Sequence, residues 1–402
     1  MASNALHILP FFTSFRLSRN TGGKDKAGAA IVRASYLEGM SPFVLPLPWG
    51  GVDQVQERFE GRHEIYFDEQ NTPVTLLPTY CHPNGCDVLK RGWRRLRESP
   101  PRGAPLSWLG QTFREASFAL ETVVEATLGQ DRFAIAHNHQ SGSAFPEIVR
   151  QLGNATLPLV LTNHSNAITP YLDAYDHVVF VSESQREQTL KERPELEPKT
   201  SLIHYYGSNE FLTHPVAELG EGFVFAGLMH NHRKGFDLLL EAYQVDHTLH
   251  GTPLRLAGDG KLFADNKGAA EQHALPFRFY GHQKAAELAA LVAGAKAFVM
   301  PSRAEGLALA YIEALCVGAP IIGYPPNVYE LENVLQMPVG LAFDANAHDG
   351  KALADTLHTF LQHPEFSTPG YRQELARRAR ARFSPERFIS QYRELYRRLL
   401  YT

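Results

Sequence analysis

Short apolar runs bounded by Gly, Pro, Asn or His recur along the chain with helical segments between them, and this alternation limits the fold more than any other feature. In the first half, residues 5–13 (ALHILPFFT) and the runs "PFVLPLPW", "PVTLLPTY", "FAIAHNH", "PLVLTNH", "HVVFVS" and "TSLIHYY" read as strands. Between them, "NTGGKDKAGAAIVRASYLEGM" reads as a glycine turn opening a helix with Ala29, Ile31, Val32 and Leu37 on its apolar side. A long amphipathic helix is expected over 106–128. After Tyr206 the stretch "GSNEFLTHPVAELGEG" has no clear period, and then the alternation restarts with "GFVFAGL", "PLRLAGDG", "FRFYG", "AFVMPS" and "PIIGY". Helices are expected between these runs at 235–244, 261–273, 285–294 and 307–317, and the last fifty residues read as helical. Strands alternating with helices make parallel sheets with crossover connections, so the chain reads as α/β with two doubly wound, Rossmann-like domains. The expected divisions are 1–205, a linker at 206–220, a second domain at 221–385 and a C-terminal helix at 386–402 packing back on the first domain. Ligands of open α/β sheets sit beyond the carboxyl ends of the strands, so both domains are expected to turn their loops toward a central cleft.

Composition narrows the partners. With 402 residues, 44% hydrophobic and 20% charged, and a formal charge of −4, the chain has the profile of a globular protein without a global field for nucleic acid or anionic membrane. Any such contact must come from a local patch. The three cysteines, Cys81, Cys86 and Cys316, are too few and too unevenly placed for a disulfide framework or a cysteine zinc site. The first twenty residues hold an apolar run too short to span a bilayer and no basic region before it, so a cytoplasmic protein is expected, with peripheral attachment to a membrane as a variant.

The stretch "PSRAEGLALAYIEALCVGAP" (301–320) places Glu305 at the mouth of an apolar helix and Glu313 about two turns inside it. The first turn of such a helix has amides without intrahelical partners and partial positive charge, which suits an anion. Small side chains at Gly306 and Ala308 allow close approach to the backbone. Carboxylates repel phosphate but accept hydrogen bonds from hydroxyls, so the pair suits a ligand with sugars at both ends of a diphosphate. Alternatively, Glu305 is only a favourable first-turn charge and Glu313 an exposed helix residue.

That segment resembles the E-x7-E signature of the retaining nucleotide-sugar glycosyltransferases of family four, which have the GT-B fold. "FVFAGLMHNHRKGFDLLLEAY", "LRLAGDG" and "FRFYGHQKAAELAALVAGAKAFVMPS" are similar to the segments ahead of it. In the first half the glycine turn, "AHNHQSG", "LTNHSN", "VVFVSESQ" and "YYGSNEFL" follow in the family's order. The resemblance implies that Glu305 holds donor-sugar hydroxyls, that Glu313 holds the ribose, and that the amides of Leu307, Ala308 and Leu309 beside Gly306 meet the diphosphate and sugar. It implies that Lys234 neutralises the leaving diphosphate and that His164 faces the reacting sugar. Gly22 and Gly23 would bring amides to the diphosphate or acceptor, or simply lead a helix. Where the family carries an arginine after its strand glycine, this chain has Leu228, which leaves Arg233, His232 or Arg303 to supply a second cation.

The implied chemistry is a hexosyl transfer with retention, by front-face attack in which the leaving diphosphate takes the acceptor proton. No metal and no cofactor beyond the nucleotide-sugar co-substrate, foremost a UDP-sugar, is expected. His137 and His139 suggest a metal pair, but no third ligand is spaced to complete it, and they read as cleft lining. The acceptor is signalled only by "LKRGWRRLRESPPRG", where Lys90, Arg91, Arg94, Arg95 and Arg97 surround Trp93. This patch suits an anionic partner, either a lipid-linked glycan at a membrane or a nucleic acid, or it is a solvated helix face. The competing functions are an epimerase or phosphorylase of the same architecture and a catalytically silent sugar-nucleotide-binding protein. A dinucleotide oxidoreductase is disfavoured because neither "GGKDKAG" nor "AGDGKLFADNKG" spells G-x-G-x-x-G.

Overall fold

Two parallel-rich sheets organise the chain. The computed structural model describes residues 7–12, 23–46, 63–66, 73–76, 133–139, 157–164, 172–218 and 220–401. Contacts divide the chain into one unit of Met1–Val181, Gln185–Ile203 and Phe388–Thr402, and a second of Ser182–Ser184 and His204–Arg387.

The sheet of the first unit contains β1 (His7–Phe12), β2 (Ser41–Pro46), β3 (His63–Tyr66), β4 (Pro73–Leu76), β5 (Phe133–Asn138), β6 (Leu159–Asn163), β7 (His177–Phe180) and β8 (Thr200–Leu202). Their order is β3-β4-β2-β1-β5-β6-β7-β8, parallel except where β3 pairs antiparallel with β4. The edge strand β3 (HEIY) carries no strand signal in the sequence, because four residues with two polar ones give no apolar run. The central strands do, since both faces of β6 and β7 are buried and parallel strands covered on both sides become continuously apolar. Helix Gly23–Leu37 buries Ile31 and Val32, but Leu37 is 40% exposed, since it is the last helical residue and lies past the packed turns. The expected helix over 106–128 lies outside the described residues.

The last helix, Pro385–Tyr401, is capped by Ser384, whose Oγ accepts from the Arg387 amide at 3.2 Å. It buries Phe388, Tyr392, Leu395 and Tyr396, an i, i+4, i+7, i+8 stripe. Within the first unit, Tyr396 Oη lies 2.6 Å from His137 Nδ1 and Tyr392 Oη 2.8 Å from Thr162 Oγ1. Arg393 and Arg397 both pair with Glu38.

The second unit contains β9 (Phe223–Ala226), β10 (Leu254–Ala257), β11 (Phe277–Gly281), β12 (Ala297–Met300), β13 (Ile321–Gly323) and β14 (Gly340–Ala342), in the order β11-β10-β9-β12-β13-β14 and all parallel. That order reverses direction between β9 and β12, which creates the switch point of a doubly wound sheet. The crossover helices are Phe236–Val245, Phe263–Gln272, Ala285–Ala293, Leu309–Cys316 and Pro325–Leu335, with Gly350–Leu361 and Pro369–Arg382 following. Helix Pro325–Leu335 starts on two prolines, which lack the amides a first turn leaves unused anyway. Behind the sheet, buried Arg372 donates to Ala217 O at 3.2 Å, Ala295 O at 2.9 Å and Ala293 O at 2.6 Å. Arg255 adds a 2.6 Å bond to Gly294 O, so two guanidinium groups satisfy the carbonyl end of helix Ala285–Ala293.

Candidate functional site

The loops after β9 and β12 flank the switch point, and the sequence makes them meet. Gly235 ends the short turn His232–Lys234 with φ +73°, and a Cβ there would lie 1.9 Å from Pro301 O. Only glycine allows that approach in that conformation. The consequence is a salt bridge across the two loops, with Lys234 Nζ donating to Glu305 Oε1 at 2.6 Å. The Lys234 side chain is 27% exposed and that of Glu305 only 7%, so a sheltered carboxylate holds a cation that still reaches solvent. Arg233 Nη2 lies 3.7 Å from the other Glu305 oxygen, while its Nε donates to Ala304 O at 2.8 Å. Of the other two candidate cations, Arg303 is committed to Asp237 by two bonds of 2.9 and 2.7 Å, and His232 lies 3.6 Å from the same carboxylate. Leu228 is 56% exposed on the β9 loop.

Helix Leu309–Cys316 begins directly behind Glu305, and its first turn has no side-chain cap at Ala308. Here one expectation is corrected. The Ala308 amide does not face outward for a ligand, because Asn327 Oδ1 accepts from it at 3.0 Å, and a saturated amide has little left to offer an anion. Among the described residues, no protein oxygen accepts from the amides of Gly306, Leu307 or Leu309. Two turns on, Glu313 is buried rather than exposed, and its Oε1 accepts from Ser208 Oγ at 2.6 Å. A buried carboxylate needs hydrogen-bond donors, and Ser208 supplies one. Tyr311, from the same helix, donates to Met300 O at 2.5 Å and accepts from the Tyr324 amide at 2.9 Å. Burial raises its phenol, and the nearby Glu305 charge adds to the shift. A Cβ on Gly323 would sit 2.0 Å from the Tyr311 oxygen, so this crossing also needs glycine.

The structure therefore brings Arg233, Lys234, Glu305, Gly306, Leu307, Ala308, Leu309 and Glu313 together in the second unit. Asn327 and Ser208 were not singled out in sequence. An asparagine behind two prolines reads as a turn, and nothing local shows that its amide faces a loop about twenty residues earlier.

His164 follows β6 in the first unit, with Nε2 3.1 Å from His139 Nδ1 and the rings stacked at 5.4 Å. His139 in turn stacks on His137 at 4.4 Å. His137 lies wholly inside, and its pKa falls to about 3, chiefly through burial and then through His177. A neutral ring bonded to Tyr396 and Thr162 is core structure, so His137 does not line a cleft. Among the described residues no three His, Cys, Asp or Glu side chains group to hold a metal. Gly23 is the first residue of its helix. Gly22 and the basic patch of Lys90, Arg91, Trp93, Arg94, Arg95 and Arg97 lie outside the described residues.

Comparison with known proteins bears on the architecture. Residues 222–382 match the model of the family described as Glycosyl transferases group 1. No curated protein sequence matches the chain. Among solved structures, sucrose-phosphate synthase from Thermosynechococcus elongatus superposes with a TM-score of 0.70 at 19% identity, over 98% of this chain and 99% of that one. The catalytic domain of starch synthase IV from Arabidopsis thaliana, bound to ADP and acarbose, gives 0.68 at 14% identity over 99% and 100%. Anabaena HepE in complex with UDP and glucose gives 0.62 at 17% over 97% and 99%. At these identities the likeness establishes architecture: the chain has the GT-B fold of two Rossmann-like domains, and a glycosyl transferases group 1 match covers its second sheet.

Proposed function

We propose that the protein is a retaining hexosyltransferase that moves a sugar from a nucleotide-diphosphate sugar, foremost a UDP-sugar, to an acceptor. The observation that carries this reading is the 2.6 Å Lys234–Glu305 pair at the switch point, directly ahead of the first turn of helix Leu309–Cys316. In this reading the diphosphate takes the amides of Leu307 and Leu309 together with Lys234, whose charge offsets the negative charge that develops on the leaving group. Arg233 is the second cation, since Arg303 is occupied by Asp237. Glu305 receives hydroxyls of the transferred sugar and Glu313, with Ser208, those of the ribose. The leaving diphosphate oxygen takes the acceptor proton, so the side chains orient and stabilise rather than form a covalent intermediate, and no metal takes part. His164 is assigned to the sugar by the resemblance of "LTNHSN". The group 1 match over 222–382, and neighbours whose structures hold UDP or ADP, support a nucleotide donor.

A thermal-shift panel of UDP-, ADP- and GDP-sugars tests this: selective stabilisation by one donor is expected, whereas stabilisation by nicotinamide dinucleotides alone would overturn it. For the acceptor we propose an anionic partner at the Lys90–Arg97 patch. Binding to anionic vesicles and to DNA, with Arg94, Arg95 and Arg97 neutralised in parallel, separates a membrane-held glycan from a nucleic acid.

A further inference from the structure

We infer that Asn327 is a positioning residue for the diphosphate-binding loop, an inference that rests on the donor-site reading above. Its side chain is completely buried and makes two bonds to one short segment. Oδ1 accepts from the Ala308 amide at 3.0 Å, and Nδ2 donates to Gly306 O at 2.9 Å. The two partners fix the amide's orientation without ambiguity, because an N–H must face the oxygen and a carbonyl must face the nitrogen. Together the bonds clamp 306–308 as a neighbouring strand would, directly between the Glu305 carboxylate and the first turn of helix Leu309–Cys316. Such a clamp stops Ala308 from competing for an anion and holds in place the flanking amides of Leu307 and Leu309, from which no protein oxygen accepts among the described residues. Asn327 touches no reacting atom in this scheme. It holds in advance the geometry that a ligand would otherwise have to impose at its own cost.

The isosteric Asn327→Asp variant provides the test, with Asn327→Ala beside it. When ionised, the introduced carboxylate still accepts from Ala308 but opposes the Gly306 carbonyl with an oxygen. When protonated, it restores the donor and becomes the equivalent of asparagine. Affinity for UDP and for ADP, measured by calorimetry on the full chain, is expected to fall at least about tenfold in both variants at pH 8. In Asn327→Asp alone the loss relative to wild type should shrink as pH is lowered toward 5.5, a recovery that a general packing defect does not show. Glu305, Tyr311, Tyr324 and Glu330 are common to both proteins, so the ratio of affinities isolates position 327. Hydrogen exchange of the peptide covering 303–311 supplies a readout without ligand, and faster exchange at Ala308 is expected in both variants. Wild-type affinity in a folded Asn327→Asp at pH 8, or unchanged exchange, overturns the clamp. If wild type binds neither nucleotide, the donor-site reading fails instead, and the exchange result still decides whether Asn327 holds the loop.

Discussion

Lys234 and Glu305 differ in exposure almost fourfold, and that asymmetry separates their roles. On the proposed reading the buried carboxylate is the fixed partner and the lysine the part that swings to the diphosphate, so Lys234→Ala and Glu305→Ala are each expected to lower kcat/KM at least about tenfold while the fold is kept. Steady-state kinetics with the donor found in the stabilisation panel, together with circular dichroism, checks both; full turnover in either variant removes that residue from the mechanism. The first unit carries a different residue-scale property. His137 and His177 have pKa values lowered to about 3 and about 4, in both cases chiefly by burial, with His177 adding to the first and Arg398 to the second. The unfolded chain therefore takes up these protons near pH 6.5 while the folded chain refuses them. Stability is complete above that point and is lost as pH falls below it, by about 2 kcal/mol per histidine at pH 5. Chemical denaturation at pH 7.5 and pH 5 should show that decline, and a His177→Gln variant should show a shallower one.

At the scale of elements, the connections that set the site are those with the least tolerance. Gly235→Ala forces a left-handed backbone on a residue with a side chain and drives its Cβ into Pro301 O, so it should cost about 2 kcal/mol or more. It should also weaken nucleotide binding, since it parts Lys234 from Glu305; denaturant melts and UDP titration measure the two effects separately. Arg372→Met tests the helix end behind the sheet. It leaves carbonyls of Ala217, Ala293 and Ala295 without their buried donor, and a loss of about 3 kcal/mol in a urea melt is expected with nucleotide affinity unchanged. Element type was legible wherever burial was two-sided, as in β6, β7, β9 and β12, because the apolar run is then unbroken. It was not legible for β3 or β14, which are short edge strands with polar or half-exposed residues.

For the whole molecule, the last helix returns to the sheet of the first unit and closes its histidine core through Tyr392 and Tyr396. Tyr396→Phe removes the 2.6 Å partner of His137 without changing shape, so it should destabilise the protein by about 1–2 kcal/mol, seen as an earlier urea midpoint. The chain by itself determined the α/β class, the repeat of the alternation after Tyr206 and the position of Glu305 at a helix mouth, because hydrophobic period and helix-end chemistry are local properties that neighbouring residues carry. Only the tertiary structure decided which amides of that mouth are taken, that Glu313 is buried beside Ser208, and that Arg303 is spent on Asp237. Each of these depends on a partner about twenty to one hundred residues away, brought near by the strand order β11-β10-β9-β12-β13-β14 and the helices packed on it, and separations of that size leave no trace in a local window of sequence.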